Sequence, residues 1–289
     1  MTDIRSISPS TQFCMVIGDP IAHSLSPAIH NTAYAELGLD FVYTACRVED
    51  VKSTLAGMRA MENFRGMSIT IPHKVAAMTY VDEIAALDRS IGAINTVVHE
   101  PDALIGFNTD GPGALKAIED AGVDLTGKHV LMLGSGGAAR AIAFTLARDN
   151  RLAELRLLDI NAPMLSQLTA DLGSGTPATI KSETLTDDTL PAAMAVADLI
   201  IHCTPIGMHP KTETSLVPSA LFRPDQVVFD VVYTPLETRL LNDAKARGLQ
   251  TISGVEMFVN QAVLQFERFT GVSAPVETMR RVVMAHLTS

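Results

Sequence analysis

GKHVLMLGSGGAARAIAFTLARDN, residues 127–150, is the stretch that decides the fold. VLML reads as a buried strand, and ARAIAFTLA opens a helix. Between them, Gly134-Ser135-Gly136-Gly137-Ala138-Ala139 fits G-x-G-x-x-A. The string alone is weak, but strand, glycine turn and helix in succession give it meaning. Glycines there allow a tight turn, let backbone N–H groups approach a pyrophosphate and let helix and strand pack closely. Gly134, Ser135, Gly136, Gly137 and Ala138 are therefore candidate cofactor-binding residues. The plainer alternative is a structural turn in a sheet.

Asp159 ends the next strand, RLLD, 25 positions after Gly134. An acidic residue about 20 positions after the first glycine accepts from the adenosine ribose hydroxyls in dinucleotide-binding folds. Such a carboxylate repels the 2′-phosphate of NADP. Ile160, Asn161, Ala162 and Pro163 supply no cation to hold one, so the sequence favours NAD over NADP. Asp159 could instead simply cap a turn with Asn161.

Strand-like and helix-like runs alternate on both sides of this segment. FCMVIG (13–18), DFVYTACRV (40–48) and GMSITIP read as strands. SPAIHNTAYAELGL reads as a helix with Ser26 as N-cap, Pro27 in its first turn and Gly38 past its end. KVAAMTYVDEIAALDRSIGA is predicted helical, and INTVVHE with LIGFNT a strand pair. Beyond the glycine turn, LRLLDI, ADLIIHCTP, QVVFDVVYTP and LQTISG are further strands. DLGSGTPAT (171–179) is loop-like, and two helices close the chain. The expected fold is α/β in two domains with a cleft between them. A substrate domain of residues 1–112, completed by 253–289, would carry an inserted Rossmann domain of residues 113–252.

Composition narrows the function. The chain has 289 residues, 47% of them hydrophobic, which suffices for a large core. A formal charge of −10 with no basic run argues against nucleic acid, and so do the absence of Trp and an aromatic content of 5%. Three widely spaced cysteines suggest small buried residues in a reducing cytosol rather than a disulfide or zinc framework. MTDIRSISPSTQ has no apolar core of a signal peptide, and no run is long enough to span a bilayer. The expectation is a cytoplasmic protein with no membrane or nucleic-acid partner and no metal. The eight histidines show no ligand spacing, and His73 is expected to be structural or to support the site from behind its lining. Monomer and homodimer stay equally open.

HSLSP (23–27), SITIPHK (68–74), GAINT (92–96), NTDG (108–111) and NQAVLQFERFTG (260–271) stand in order around the glycine turn. Together they resemble the shikimate dehydrogenase family, including its quinate/shikimate branch. The resemblance implies hydride exchange between the 3-hydroxyl carbon of shikimate and a nicotinamide. It implies that Lys74 and Asp110 are the catalytic pair, an ammonium and a carboxylate beside the reacting oxygen. It assigns Ser24 and Ser26 to the substrate carboxylate and Ser68, Thr70, Asn95 and Gln261 to ring hydroxyls, with Tyr233 also in the site. Thr204, Pro205, Gly207, Met208, Val231, Gly254 and Met257 would form the nicotinamide-side wall.

Some positions depart from the family pattern. Ser68 stands where many members carry Asn, which would shorten one ring-hydroxyl contact or route it through water. LLDINAP replaces the Asn-Arg-Thr type loop of NADP-specific members, and CTP stands for Ala-Thr-Ser. Both suit quinate/shikimate enzymes, whereas Ser26 in place of Thr leans toward shikimate. Two alternatives remain: quinate as a main substrate, and a non-catalytic metabolite sensor on the same fold.

Overall fold

The computed structural model describes residues 7–149 and 151–288. The first six residues, part of the segment that argues against a signal peptide, lie outside them. In chain order the elements begin with β1 (Gln12–Gly18), α1 (Ser26–Glu36), β2 (Phe41–Arg47), α2 (Val51–Arg59) and β3 (Phe64–Ile69). β4 (Glu83–Ile84), α3 (Ala86–Ile91), β5 (Thr96–Glu100) and β6 (Ala103–Phe107) follow. Next come α4 (Asp110–Asp120), β7 (His129–Leu133), α5 (Gly137–Ala147), β8 (Glu154–Asp159), α6 (Ala162–Gly175) and β9 (Ile180–Thr184). The chain ends with α7 (Thr189–Met194), β10 (Leu199–His202), β11 (Val227–Asp230), α8 (Arg239–Ala246), β12 (Gln250–Ile252), α9 (Gly254–Thr270) and α10 (Val276–Leu287). Two compact units result, residues 7–109 with 261–287 and residues 110–260. The first boundary lies slightly before the one expected from sequence, and the second falls inside α9.

The first unit holds a mixed sheet in the order β2-β1-β3-β5-β6-β4. β1 runs parallel to β2 and β3, and β5 is antiparallel to both β3 and β6. Strand alternation assigns β3's side chains to opposite faces. Met67 and Ile69 join Met15, Ile17, Val51 and Leu55 in one apolar cluster. Gly66 and Ser68 face the other way, toward α9. A Cβ on Gly66 would lie 2.5 Å from the Phe269 ring, and Ser68 bonds Gln265. That second face also carries His30, Tyr34, Tyr43, Phe266 and Phe269, whose rings pack on one another.

The second unit holds an all-parallel sheet in the order β12-β11-β10-β7-β8-β9. The strand order reverses beside β7, the doubly wound arrangement in which ligands bind at the strands' C-terminal ends. VLML of β7 and all of β10 are buried, as near-continuous apolar runs in parallel sheets require.

The structure corrects the expected elements in several places. The segment expected as one helix over 74–93 is a 3-10 turn (Ala76–Tyr80), then β4, then α3. Asp82 breaks it, because its carboxylate accepts from the Leu104 N–H at 2.7 Å and from Arg59 at 2.6 Å. α1 begins at Ser26, and Ser26 does not cap it; instead Ser24 Oγ accepts from the Ser26 N–H at 3.3 Å. α6 continues through residues 171–175 of the expected loop, and β9, IKSET, is a strand that its polar composition hides.

His30 is fully buried and stacks on Tyr43, ring centroids 4.3 Å apart. Burial pushes its pKa from 6.5 down to about 3. Below pH 6.5 the unfolded chain takes up a proton that the folded chain refuses, so stability is lost as pH falls from 6.5 toward 3. Between pH 6.5 and 5.0 this residue should cost about 2 kcal/mol. Urea unfolding of His30→Phe at the two pH values should show a correspondingly smaller drop than the parent. Equal drops in both proteins would contradict the assignment.

Candidate active site

On the first unit the SITIPHK segment leaves β3 and turns. Thr70 donates its N–H to the Ile17 carbonyl at 3.0 Å and accepts from the His73 N–H at 3.0 Å. The turn lies so close to the end of β1 that a Cβ on Gly18 would meet Thr70 Cγ2 at 2.5 Å. His73 is buried and bonds the Val48 carbonyl through Nε2 at 2.7 Å, a structural role. Lys74 stands half-buried in this turn, before the 3-10 segment rather than on a helix N-terminus. Its carbonyl accepts from the Ile94 N–H at 2.9 Å, which ties the lysine to the segment carrying Asn95.

Asn95 is buried, and its side chain engages the end of the first unit's main run. Its Oδ1 accepts from the Thr109 N–H at 2.8 Å, and its Nδ2 donates to Thr109 Oγ1 at 3.0 Å. Thr109 immediately precedes Asp110. Ser26 is buried and Ser24 half-buried at the start of α1. Tyr43 brings its hydroxyl to Ser68 at 2.6 Å, with Ser26 a further partner. Burial raises the Tyr43 pKa, and these hydrogen bonds only partly offset the rise. Gln261 is buried on α9.

On the second unit Asp110 is the first residue of α4, where a carboxylate complements the positive end of the helix dipole. Its neighbour Gly111 lets α4 lie directly on α5. A Cβ there would fall 2.0 Å from Thr145 Oγ1 and 2.5 Å from the Ala141 carbonyl. α5 follows the glycine turn. Gly134 has φ +109°, and a Cβ would meet Cys203 backbone at 3.1 Å. By contrast, Cβ positions on Gly136 and Gly137 point into open space. The first-turn amides of α5, around Ala138, have no helical acceptor, as at any helix start. This cradle fits a dinucleotide pyrophosphate. Asp159 ends β8 beside it: Oδ2 accepts from Ser135 N–H at 2.6 Å and Ser135 Oγ at 2.7 Å, and Oδ1 from Asn161 N–H at 2.7 Å.

Thr204 follows β10, and two residues with no role in the sequence expectations hold it. Asp230 is fully buried, and its carboxylate accepts from Val232 N–H, from Thr238 Oγ at 2.6 Å and from His202 Nδ1 at 2.9 Å. With Nδ1 donating, His202 Nε2 is the acceptor for the Thr204 hydroxyl at 2.5 Å. Pro205 and Met208 are exposed, and Gly207 takes φ +84°. A Cβ on Gly254 would fall 2.4 Å from the Val231 carbonyl, so only glycine lets α9 start this close to the end of β11. Met257 is buried one turn on. Tyr233 stacks on Phe258, centroids 4.8 Å apart, and burial raises its pKa.

Thr70, Asn95, Ser68 and the Lys74 backbone are thus tied together on the first unit. The glycine turn, Asp159 and the Thr204 loop line the strand ends of the second unit. Lys74 and Asp110 belong to different units. Tyr43, Thr96, Thr109, Gln265, His202 and Asp230 went unread in the sequence. Thr96, Thr109 and Gln265 lie inside the stretches GAINT, NTDG and NQAVLQFERFTG, and Gln265 falls one helical turn after Gln261 on the same face. Among the described residues no cluster of three or more His, Cys, Asp or Glu could hold a metal ion, and no helix is long and apolar enough to cross a membrane.

An α/β protein with an N-terminal substrate-binding domain and a Rossmann-like sheet is the class these features define. Residues 16–97 match the shikimate dehydrogenase substrate binding domain, and residues 254–284 the shikimate 5'-dehydrogenase C-terminal domain. Shikimate dehydrogenase (NADP(+)) of Moorella thermoacetica is 41% identical over 280 residues, 96% of this chain and 94% of that protein. Shikimate 5-dehydrogenase of Listeria monocytogenes, solved with shikimate and NAD, is 35% identical with a TM-score of 0.91, covering 96% of this chain and 98% of that one. Quinate dehydrogenase of Corynebacterium glutamicum, solved with NAD, is 27% identical with a TM-score of 0.88, covering 95% and 99%. The chain belongs to the shikimate dehydrogenase family.

Asp230→Ala should strand three buried donors and lower stability by about 3–5 kcal/mol in chemical denaturation. A loss below about 1 kcal/mol would mean that the His202–Asp230 contact is not the buried network described.

Proposed function

We propose that this protein reversibly oxidises the 3-hydroxyl of shikimate with a nicotinamide dinucleotide, and that NAD is the preferred partner. The observation that carries the proposal is the hydrogen bonding on the first unit that fixes Lys74 to the segment carrying Asn95, and Asn95 to Thr109. The Lys74 carbonyl is bonded by Ile94, and Thr109, which Asn95 holds, is covalently joined to Asp110.

Ser24 and Ser26 hold the substrate carboxylate through neutral hydroxyls. Thr70, Asn95 and Gln261 bind ring hydroxyls, and Tyr233 is a further candidate for the site. The glycine turn with Ser135 would hold the dinucleotide pyrophosphate, Asp159 its ribose, and Thr204, Pro205, Met208, Val231, Gly254 and Met257 the nicotinamide end. The dinucleotide, when bound, supplies the acceptor for the hydride leaving C3. The hydroxyl proton passes to the Lys74–Asp110 pair, and in the reducing direction the Lys74 ammonium stabilises the developing alkoxide and returns the proton.

NAD is favoured by the Asp159 loop. The carboxylate keeps one Oδ1 lone pair beyond its three bonds, enough for a ribose hydroxyl. Ile160 and Asn161 after it provide no cation for a 2′-phosphate, and Arg140 on α5 pairs with Asp171 at 2.6 Å. The Moorella relative carries NADP(+) in its name, so the preference proposed here rests on this chain's own loop.

Steady-state rates with shikimate and quinate, each with NAD and NADP, test the proposal. The highest kcat/KM is expected for shikimate with NAD; a higher value with NADP would overturn the role of Asp159. Lys74→Ala should lower kcat by roughly 10²–10⁴-fold while shikimate still binds. Binding of both ligands by the parent without hydride transfer would favour a metabolite sensor instead.

A further inference from the structure

We infer that Ser68 does not bind the ring but, with Gln265, positions Asn95 and Thr109 through a buried hydrogen-bonded relay within the first unit. The inference rests on the shikimate site proposed above. Ser68 is 5% exposed and Gln265 2%. The Tyr43 hydroxyl donates to Ser68 Oγ at 2.6 Å, and Ser68 donates its one proton to Gln265 Oε1 at 2.8 Å. Gln265 Nε2 donates to Thr96 Oγ1 at 3.0 Å, and Thr96 donates to Asn95 Oδ1 at 2.8 Å. Asn95 Nδ2 then donates to Thr109 Oγ1 at 3.0 Å.

From Tyr43 to Asn95 every step donates in the same sense, so each bond polarises the next; at the end, Thr109 Oγ1 also donates to Asn95 Oδ1 at 3.2 Å. The sense is set at its far end. The Thr109 backbone N–H can only donate, so Asn95 must present its oxygen there and its amino group to Thr109 Oγ1. Thr96 must then donate, Gln265 must turn its amino group to Thr96, and its oxygen must face Ser68. Ser68 has no proton left to give a ring hydroxyl, and its one remaining lone pair lies on a side chain that is buried. At the near end Tyr43 also touches Ser26. The relay therefore runs from the serine proposed for the substrate carboxylate to the residue before Asp110. It fixes the spacing of the two ends of one small substrate.

A double-mutant cycle separates relay from contact. Ser68→Ala and Gln265→Met should each lower kcat/KM for shikimate by about tenfold or more, with KM for the dinucleotide within twofold of the parent. Because either change cuts the same chain, the double variant should be no worse than the worse single variant. Ser68→Thr, which keeps the hydroxyl, should restore most of the loss. Hydrogen exchange at the Thr109 amide gives a readout independent of catalysis, and Ser68→Ala should speed it. Thr96→Val cuts the relay at another link and serves where Ser68→Ala does not fold.

Additive losses, or unchanged Thr109 exchange in a folded variant, would overturn the relay and return Ser68 to the substrate. A parent that fails to oxidise shikimate would instead sink the functional proposal and leave the exchange result to decide the relay alone.

Discussion

A backbone amide can give a hydrogen bond but never take one through its nitrogen, and the Thr109 N–H imposes that asymmetry on the first unit. Asn95 meets it with its carbonyl oxygen at 2.8 Å. Once the carboxamide is oriented, the buried hydroxyls and amides leading back to Tyr43 each have a single consistent choice of donor and acceptor. In a site walled off from water a wrongly turned amide would leave polar atoms unsatisfied, at about 1–3 kcal/mol each. Polar residues on the α9 face of β3 therefore act as a register for the segments around them, while the opposite face, with Met67 and Ile69, serves only cohesion.

The second unit solves a different problem. There the backbone must come close to itself and to a ligand at the ends of parallel strands. Gly111 against Ala141 and Gly254 against Val231 are approaches that any side chain would block, and Gly134, 3.1 Å from the Cys203 backbone, takes φ +109°, a conformation that other residues rarely adopt. Asp230 adds the polar counterpart, a fully buried carboxylate whose partners come from β10, from its own loop and from the N-cap residue of α8. Through His202 that buried charge determines which way the Thr204 hydroxyl turns. The loop after β10 is thus oriented from beneath, by groups that never reach the surface.

Much of this was legible in the residues alone. The glycine turn between VLML and ARAIAFTLA announced the parallel sheet, because no other common arrangement needs strand, glycines and helix in that order. GMSITIP read as a strand, and β3 covers its first half and ends at Ile69. What stayed hidden depends on contacts far apart in sequence. Asp82 splits the helix expected over 74–93 by bonding Leu104 and Arg59, and neither partner is visible from the local pattern. Ser68 bonds Gln265, a partner 197 positions away that no local pattern reveals. His202 and Asp230 sit opposite each other in the pairing of β10 with β11, a register that neither strand's own residues specify.

β9 escaped notice because it alternates poorly and is charged: Ile180-Lys181-Ser182-Glu183-Thr184. It is also an edge strand of the second sheet, opposite β12. Lys181 pairs with Glu154 at 2.6 Å and Glu183 with Arg156 at 2.8 Å, reaching across to β8. A seventh strand seeking that open row of amides would meet side chains already ion-paired and strongly hydrated. The polarity that disguised the strand is of the kind that discourages sheet growth between copies of a chain.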